Sequence, residues 1–255
     1  MSALLELKGM TIHFGGLIAV DNFDFQLEKG QVVALIGPNG AGKSTVFNVI
    51  SGIYPPTAGK VFFNGEDITN MKPYHIKTRG IARTFQNIHL FKKLSVLDNV
   101  RIGCHCRGRT GVLGALTRLP GVKAEEKVIL EKSLEVLEIV GLANKQEETA
   151  NNLAYGEQRR LEIARALAAE PLLLLLDEPA AGMNPNEKKN LMEMLKRIRA
   201  MGITIMLVEH DMKFVMSISD RVDVLNYGQK IASGTPAEVQ NDPLVITAYL
   251  GSQTG

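Results

Sequence analysis

The sequence predicts an α/β fold with a mostly parallel central sheet, an antiparallel β subdomain before it and an inserted helical subdomain. Two observations predict the parallel sheet of this fold. A glycine-rich loop lies between a buried apolar strand at residues 31–36 and an apolar-faced helix that continues through residues 46–50. Two further apolar runs, at residues 172–176 and 203–208, alternate with helical stretches. Buried strands that alternate with helices form parallel sheets joined by right-handed crossovers.

Composition bounds the class of protein. The chain has 255 residues, of which 45% are hydrophobic, and a net charge of +2, so no strongly charged partner is implied. No unbroken apolar run exceeds the five leucines at residues 172–176, far short of the ~20 residues of a transmembrane helix. No signal-peptide core is present, and Cys104 and Cys106 fit free thiols in a reducing compartment. These features predict a soluble or peripheral protein of the cytosol.

The glycine-rich loop reads Gly-Pro-Asn-Gly-Ala-Gly-Lys-Ser-Thr and fits the phosphate-binding pattern G-x-x-x-x-G-K-[ST]. Glycines let backbone N–H groups approach phosphate oxygens, and the following helix points its positive dipole end at the same anion. The lysine would reach the β- and γ-phosphates, and the serine hydroxyl can bind Mg²⁺. The predicted nucleotide-binding residues are Gly37, Pro38, Asn39, Gly40, Ala41, Gly42, Lys43, Ser44 and Thr45.

The residues before the loop predict an antiparallel sheet. Residues 4–8 and 11–14 are expected to form two short strands. Residues 23–27 alternate apolar and polar side chains, which is the period of a strand. Phe14 leaves two interpretations open, because it could be a buried strand aromatic or a ring that stacks on an adenine base.

Polar side chains follow three of the predicted strands, at the carboxyl ends where ligands bind α/β sheets. Gln86 follows a predicted strand at residues 81–85, Asp177 and Glu178 follow the five leucines, and His210 follows the last apolar run. One carboxylate of such a pair can hold Mg²⁺, and the next can orient and deprotonate water. Taken alone, Gln86 would be an ordinary surface glutamine, whereas His210 lies where a γ-phosphate must be.

The middle of the chain predicts helices around a basic insertion. Ser95 begins one helix with a capping-box-like start, and residues 126–140 carry leucines on one face of another. No acidic residue lies between them after Asp98 until Glu125, and the window holds five basic residues: Arg101, Arg107, Arg109, Arg118 and Lys123. This irregular insertion is either a solvated loop or a contact for anionic headgroups or an acidic partner.

Turn and capping residues predict the remaining elements. Two hairpins are expected, around Asn64-Gly65 and around Tyr227-Gly228. A helix is predicted over residues 156–169. The other predicted helix starts are Asn184-Pro185, Asp211, Thr235 and Asp242-Pro243.

Together the motifs resemble the ATP-binding subunit of an ATP-binding-cassette (ABC) transporter, over essentially the full chain. They stand in the order of that family: an aromatic at Phe14, the Walker A loop at residues 37–44, Gln86, a signature at residues 153–157, Asp177-Glu178, a D-loop at residues 181–184, and His210. The resemblance implies one ABC ATPase domain over residues 1–255, with a P-loop (RecA-like) core. Residues 1–86 and 161–255 would form that core, and residues 87–160 approximately would form the helical subdomain.

The resemblance also implies roles for single residues. Phe14 would stack on adenine, Gln86 would sense Mg²⁺ and the γ-phosphate, and Asp177 would bind Mg²⁺. Glu178 would be the base for the attacking water, and His210 would contact the γ-phosphate. The implied cofactors are ATP and Mg²⁺. Two such chains would pair head to tail, with each ATP held between one Walker A loop and the partner's signature.

The signature departs from the family pattern. The family usually has Leu-Ser-Gly-Gly-Gln, and this chain has Leu153, Ala154, Tyr155, Gly156 and Glu157. The serine hydroxyl that would bond the partner's γ-phosphate is gone. The helix N-terminus and its amides remain, so anion binding is weakened and not abolished.

Two smaller departures involve the D-loop and the aromatic. The D-loop aspartate is replaced by Asn184, which removes a charge from the dimer interface. The aromatic is Phe14 and not the commoner tyrosine, which matters little for stacking.

Within the family, the chain most resembles one of the two ATPase subunits of branched-chain amino-acid importers. The matching stretches are residues 177–185, the Ala154-Tyr155 signature, residues 209–212 and residues 247–251. The likeness implies transmembrane permease subunits, a second ABC ATPase subunit and, indirectly, a periplasmic solute-binding protein as partners, without nucleic acid. It places the chain in the cytoplasm, on the inner face of the cell membrane.

Three alternatives are weighed against this interpretation. ATPases of lipopolysaccharide export share the Gly-Thr-Pro and Tyr-Leu-Gly stretches near the end of the chain. A soluble ATP-driven switch would use the same motifs but usually has two cassettes or a long inserted arm. A P-loop kinase would need an acceptor pocket and a lid, and would lack the signature stretch.

Overall fold

A computed structural model of the chain describes residues 3–104 and 120–251. Its strands, in chain order, are β1 (Leu5–Phe14), β2 (Leu17–Leu27), β3 (Val32–Ile36), β4 (Ala58–Phe63), β5 (Glu66–Asp67), β6 (Ile81–Arg83), β7 (Leu173–Asp177), β8 (Thr204–Val208), β9 (Arg221–Asn226) and β10 (Gln229–Gly234). They form two sheets. The smaller is antiparallel, in the order β2-β1-β4-β5, and the larger runs β10-β9-β3-β8-β7-β6.

The larger sheet is parallel except for the hairpin of β9 and β10. Its central strands do not follow chain order, because β8 lies between β3 and β7. The carboxyl ends of β3, β8, β7 and β6 therefore lie side by side at one edge of the sheet. This arrangement confirms the predicted α/β class, with an antiparallel subdomain and a mostly parallel core.

The helices of the described residues are α1 (Lys43–Ile50), α2 (Pro73–Thr78), α3 (Val96–Cys104), α4 (Pro120–Ile139), α5 (Tyr155–Leu167), α6 (Pro185–Ala200), α7 (Met212–Ile218), α8 (Pro236–Gln240) and α9 (Pro243–Gly251). Short 3₁₀ turns at Ala143–Lys145 and Ala150–Asn152 join α4 to α5. The predicted subdomain boundary at residue 160 falls inside the continuous helix α5.

The central sheet separates two hydrophobic clusters because its strands alternate their side chains between the two faces. Val32, Ala34 and Ile36 pack into one cluster, and Val33 and Leu35 into the other. The first cluster contains residues of helices α3 to α9, and the second contains the antiparallel sheet and α1. Burial on both faces explains why the strands of the parallel sheet are continuous apolar runs.

Two strand predictions differ from the structure. The predicted strands at residues 4–8 and 11–14 are one strand, β1, with an irregularity at Gly9, whose φ is +55°. The strand predicted over residues 81–85 ends at Arg83, because Phe85 and Gln86 leave the sheet edge. Gln86 therefore lies on a loop that begins after β6, and the structure places it beyond the strand rather than at its last position.

The helical middle also differs in part. Helix α4 begins at Pro120, six residues before the predicted start, and α5 begins at Tyr155 and ends at Leu167. The basic insertion is not irregular at its two ends, since Arg101 lies in α3 and Lys123 in α4. Arg107, Arg109 and Arg118 lie outside the described residues, together with Cys106.

The predicted caps are confirmed where side chains accept from helix N–H groups. Asn184 accepts from the N–H of Glu187 at 3.0 Å, and Glu187 accepts from the N–H of Asn184 at 2.9 Å. Asp211 accepts from the N–H of Phe214, and Ser95 from that of Asp98.

Among the residues that the structure describes, no helix combines the length and apolar character needed to cross a membrane.

Candidate nucleotide-binding site

The glycine-rich loop connects the end of β3 to the start of α1, and its conformation requires glycine. Gly37, Gly40 and Gly42 have φ of +150°, +78° and +103°. A Cβ on Gly37 would lie 2.0 Å from the carbonyl oxygen of Leu225, and one on Gly42 would lie 2.6 Å from that of Ala19. The loop is therefore pressed against neighbouring backbone, and no side chain fits at these two glycines.

We expect Gly37→Ala to lower the free energy of unfolding by about 2–5 kcal/mol. This range adds backbone strain of roughly 1–2 kcal/mol to overpacking of roughly 1–3 kcal/mol. Gly40→Ala is the matched control, because nothing lies within 4 Å of its Cβ position and only the strain applies. Denaturant unfolding of the two variants measures the difference. Equal losses would contradict the close approach to Leu225.

Lys43 opens α1 and is buried beneath the loop. Its Nζ donates to the carbonyl oxygens of Gly37 and Pro38, both at 2.8 Å. Burial lowers the pKa of Lys43, and the nearby carboxylates of Glu178 and Asp177 partly oppose this shift. An ammonium has three donors, so one N–H remains for an anion in the cleft.

Glu178 lies directly after β7 and is held between two polar side chains. The Nε2 of Gln86 donates to its Oε2 at 3.2 Å, and the Nε2 of His210 lies 2.9 Å from its Oε1. Its backbone has φ of +48°, a left-handed conformation that is uncommon for residues other than glycine. The structure thus brings together three of the residues that sequence reasoning had found at separate strand ends.

These residues and the glycine-rich loop line one cleft of about 490 Å³. Eleven of the predicted site residues border it: Phe14, Asn39, Gly40, Ala41, Gly42, Lys43, Ser44, Thr45, Gln86, Glu178 and His210. Phe14 is 45% exposed and meets Tyr54 edge-on, so the interpretation as a buried strand aromatic is wrong. Its ring is available to a ligand in the cleft.

Asp177 is a predicted site residue that does not border this cleft, and neither do Gly37 and Pro38 at the start of the loop. It is the last residue of β7 and is buried, and the guanidinium of Arg83 donates to its Oδ2 at 2.9 Å. It is nevertheless close to the loop, since its charge acts on Lys43. Arg83 was not predicted, although a charged residue within a short buried strand is a signal that could have found it.

The signature residues lie elsewhere on the chain, at the start of α5. Ala154 and Tyr155 are exposed, and the Tyr155 ring lies against Gly182 in the segment before α6. Only half of a capping box is present, because Glu157 accepts from the N–H of Ala154 at 3.2 Å and an alanine methyl cannot accept in return. Burial raises the pKa of Glu157, but its bonds with Lys145 and Ala154 bring it below the ordinary value. The signature residues 153–157 therefore do not join the cleft of their own chain.

Residues that the sequence did not predict also shape the cleft, and Tyr227 and Glu209 are two of them. Tyr227 lies at the tip of the β9–β10 hairpin and borders the cleft. Glu209 is buried, and its two carboxylate oxygens accept from the N–H groups of Ala180 at 2.6 Å and His210 at 3.1 Å. Burial raises the pKa of Glu209, opposed by those backbone bonds. Glu209 thus fixes the backbone that carries His210, and its position directly after a buried strand was the available signal.

The donor set suits a hard divalent cation that arrives with phosphate. Ser44, Gln86 and Asp177 offer a hydroxyl, an amide carbonyl and a carboxylate, which are the oxygen ligands that Mg²⁺ prefers. Within residues 3–104 and 120–251, no group of three or more His, Cys, Asp or Glu side chains could hold a metal unaided. A site with one carboxylate fits Mg²⁺, because this ion usually keeps waters and binds through phosphates.

Comparisons with known proteins agree with this geometry. The sequence model described as "ABC transporter" matches residues 20–181, and one described as "Branched-chain amino acid ATP-binding cassette transporter" matches residues 229–254. The high-affinity branched-chain amino acid transport ATP-binding protein BraF of Pseudomonas aeruginosa is 44% identical over 97% of this chain and 98% of its own length.

Solved structures show the same fold. An ATP-binding cassette of an ABC transporter in its ADP conformation has a TM-score of 0.86 and 34% identity, over 98% of this chain and 100% of that one. A dimeric ATP-binding cassette in a post-hydrolysis state, bound to ADP and phosphate, has a TM-score of 0.76 and 25% identity, over 91% and 98% of the two chains.

A phosphate-binding loop at the edge of a parallel sheet, with polar strand ends beside it, defines a P-loop nucleotide-binding protein. Within that class, the match over residues 20–181 and the near full-length likeness decide the family. The chain belongs to the ABC transporter family and is an ATPase of its cassette type.

Proposed function

We propose that the chain binds and hydrolyses ATP to power a membrane importer of branched-chain amino acids. The support for the solute class is the 44% identity to BraF over 97% of the chain, together with the match of residues 229–254. The support for the chemistry is the position of Glu178 in the cleft, held by Gln86 and His210. The geometry offers nothing that favours lipopolysaccharide export.

In the proposed mechanism, Glu178 is the base that orients and deprotonates the attacking water. Its two carboxylate oxygens are already oriented by neighbouring side chains, so little reorganisation is needed when ATP arrives. His210 and Lys43 face the γ-phosphate, and the loop amides surround the β-phosphate. Phe14 stacks on the adenine. The chain's contribution is mainly to position water and to neutralise developing charge.

Ser44, Gln86 and Asp177 are the residues proposed to hold Mg²⁺. When bound, Mg²⁺ would neutralise charge on the β- and γ-phosphates. Gln86 would then contact both the cation and Glu178, which would let it respond to the presence of the γ-phosphate.

The active form is proposed to be a head-to-tail dimer. The signature residues Ala154, Tyr155, Gly156 and Glu157 lie outside the cleft of their own chain, and the first two of them are exposed at the start of α5. In a head-to-tail pair, this helix N-terminus would meet the partner's γ-phosphate and contribute its N–H groups. Because Ala154 lacks a hydroxyl, we propose that the partner is a second ATPase subunit with a complete signature, which gives two unequal ATP sites.

A second groove is the proposed contact for the permease. It has a volume of about 400 Å³ and lies between the loop after β6 and helices α3 and α5. Exposed Ile53, Phe85 and Phe91 border it, and Arg165 packs over the Phe91 ring. Phe85 precedes Gln86 in the chain, so a permease segment bound in this groove would lie one residue away from the nucleotide cleft. In this proposal, residues 87–160 approximately form the helical subdomain. The chain is proposed to lie on the cytoplasmic face of the membrane.

The test is recovery of the tagged chain from detergent-solubilised native membranes, with partners identified by mass. We expect two multi-span permeases and a second cassette ATPase, with a periplasmic solute-binding protein acting only through the permeases. Phe91→Asp should abolish recovery, because it places a charge in the apolar groove. Leu244→Asp is the matched control, since Leu244 is exposed on α9 outside the groove.

Uptake of labelled leucine by cells that lack the chain completes the test. The wild-type chain should restore uptake and Phe91→Asp should not. Recovery of no membrane protein would remove the transporter function and leave the ATPase. If permeases are recovered but the wild-type chain does not restore leucine uptake, the transporter function stands and only the branched-chain amino acids are ruled out as its solute.

A further inference from the structure

Arg83 is a buried cation that connects three parts of the nucleotide site. Its side chain is 8% exposed. One terminal nitrogen donates to the side chains of Asn48 at 2.7 Å and Ser51 at 2.9 Å, at the end of α1. The other donates to Oδ2 of Asp177 at 2.9 Å. The guanidinium therefore links the helix that follows the phosphate loop to the end of β7.

The same guanidinium lies over two aromatic rings. It is 5.5 Å from the ring centre of Phe47 and 5.0 Å from that of Phe85. Phe47 is buried in α1, whereas Phe85 borders the groove proposed for the permease. With three hydrogen bonds and two ring contacts, Arg83 has little freedom to move.

This geometry restricts Asp177 as well. Among the residues that the structure describes, Arg83 is the side chain that donates to Asp177, and it takes Oδ2 alone. The carboxylate is thus fixed in rotation with Oδ1 left for another ligand. Partners of this kind set the orientation of a metal ligand, and their loss typically costs about 10–100-fold in metal affinity.

We propose that Arg83 is a positioning residue for the Mg²⁺ site. It would hold the Asp177 carboxylate through Oδ2 and leave Oδ1 available to the cation. The inference rests on the proposed role of Asp177. Phe85 packs on the same guanidinium and borders the groove, so the groove and the metal site share one rigid contact through Arg83.

The experiment measures the binding of the non-hydrolysable analogue AMP-PNP by calorimetry, with Mg²⁺ and in EDTA. We expect Arg83→Met to raise the Mg²⁺ concentration for half-maximal binding about 10-fold or more. Its AMP-PNP affinity in EDTA should stay within about twofold of wild type, because Arg83 does not border the nucleotide cleft. A general loss of structure would lower both affinities, so their ratio isolates the positioning role.

Matched variants complete the design. Arg79→Met removes a guanidinium that pairs with Glu66 on the surface, and it should leave the Mg²⁺ requirement unchanged. Arg83→Lys keeps the charge but cannot reproduce the planar fork, so it should give an intermediate requirement. It also carries the test if Arg83→Met fails to fold, since breaking a buried pair is strongly destabilising. Phe85→Ala should shift the Mg²⁺ requirement in the same direction by a smaller factor.

The outcomes separate the two levels of inference. If wild-type binding does not depend on Mg²⁺, the proposed metal site is wrong. If wild-type binding depends on Mg²⁺ but both Arg83 variants match it, the metal site stands and the positioning role of Arg83 is overturned. An unchanged requirement in Phe85→Ala would overturn the shared contact with the groove.

Discussion

Glu178→Gln is expected to bind ATP with near wild-type affinity and to hydrolyse it about 10²–10⁴-fold more slowly. A positioned general base contributes a factor of this size, and a glutamine of the same shape cannot accept the proton from water. The amide can still contact Gln86 and His210, so the cleft should keep its geometry. Steady-state phosphate release and equilibrium ATP binding, measured on the same preparation, test both halves of the expectation.

Glu193→Gln is the control for Glu178→Gln. Glu193 lies on the exposed face of α6, where it pairs with Lys196, and it does not border the cleft. The control should hydrolyse ATP at the wild-type rate. Wild-type turnover in Glu178→Gln would mean that another group serves as the base, whereas loss of ATP binding would mean that Glu178 supports the site structurally.

Lys43→Met is expected to weaken ATP binding by about 2–5 kcal/mol, or roughly 30- to 4,000-fold. Truncating one partner of a buried charge pair costs this much, because the phosphate charge is left without its counter-ion. Methionine keeps much of the volume beneath the loop, so packing changes little. Calorimetric titration with ATP measures the loss, and thermal unfolding without nucleotide checks that the loop remains folded.

Lys196→Met is the matched control for Lys43→Met, since it removes a lysine charge from the surface of α6. It should bind ATP as the wild type does. The lowered pKa of Lys43 adds a pH test, because its ammonium loses its proton at a lower pH than an ordinary lysine, whose pKa is 10.5. As the pH rises, ATP affinity should therefore begin to fall before pH 10.5 is reached. A wild-type affinity in Lys43→Met would rule out its contact with the phosphates.

Much of the fold could be predicted because local signals are strong here. The loop at residues 37–45 has residue types that only phosphate binding demands in that order, and the capping residues Asn184 and Asp211 act within one helical turn. Where local signals compete, prediction was wrong by a few residues. Residues 84 and 85 were predicted to continue the strand that begins at Ile81, but the strand ends at Arg83. Gln86 then borders the cleft.

The candidate site could be predicted as a set of strand ends but not as an arrangement. Gln86, Glu178 and His210 were each found after a separate apolar run, up to 124 positions apart in the chain. Which strands are neighbours depends on the packing of both faces of the sheet, and the insertion of β8 between β3 and β7 has no local signal. The contacts of Glu178 with the other two side chains follow from that strand order.

The phosphate loop, the class of fold and the chemical types at the strand ends follow from local sequence. They depend on residue identity and on hydrophobic period, which act over a few neighbouring positions. The contacts of Arg83 with Phe47, Phe85 and Asp177, and the place of Tyr227 beside the cleft, depend on the folded chain. Such contacts join residues distant in the chain, and they form because burying the two faces of one sheet brings its strand ends and loops together.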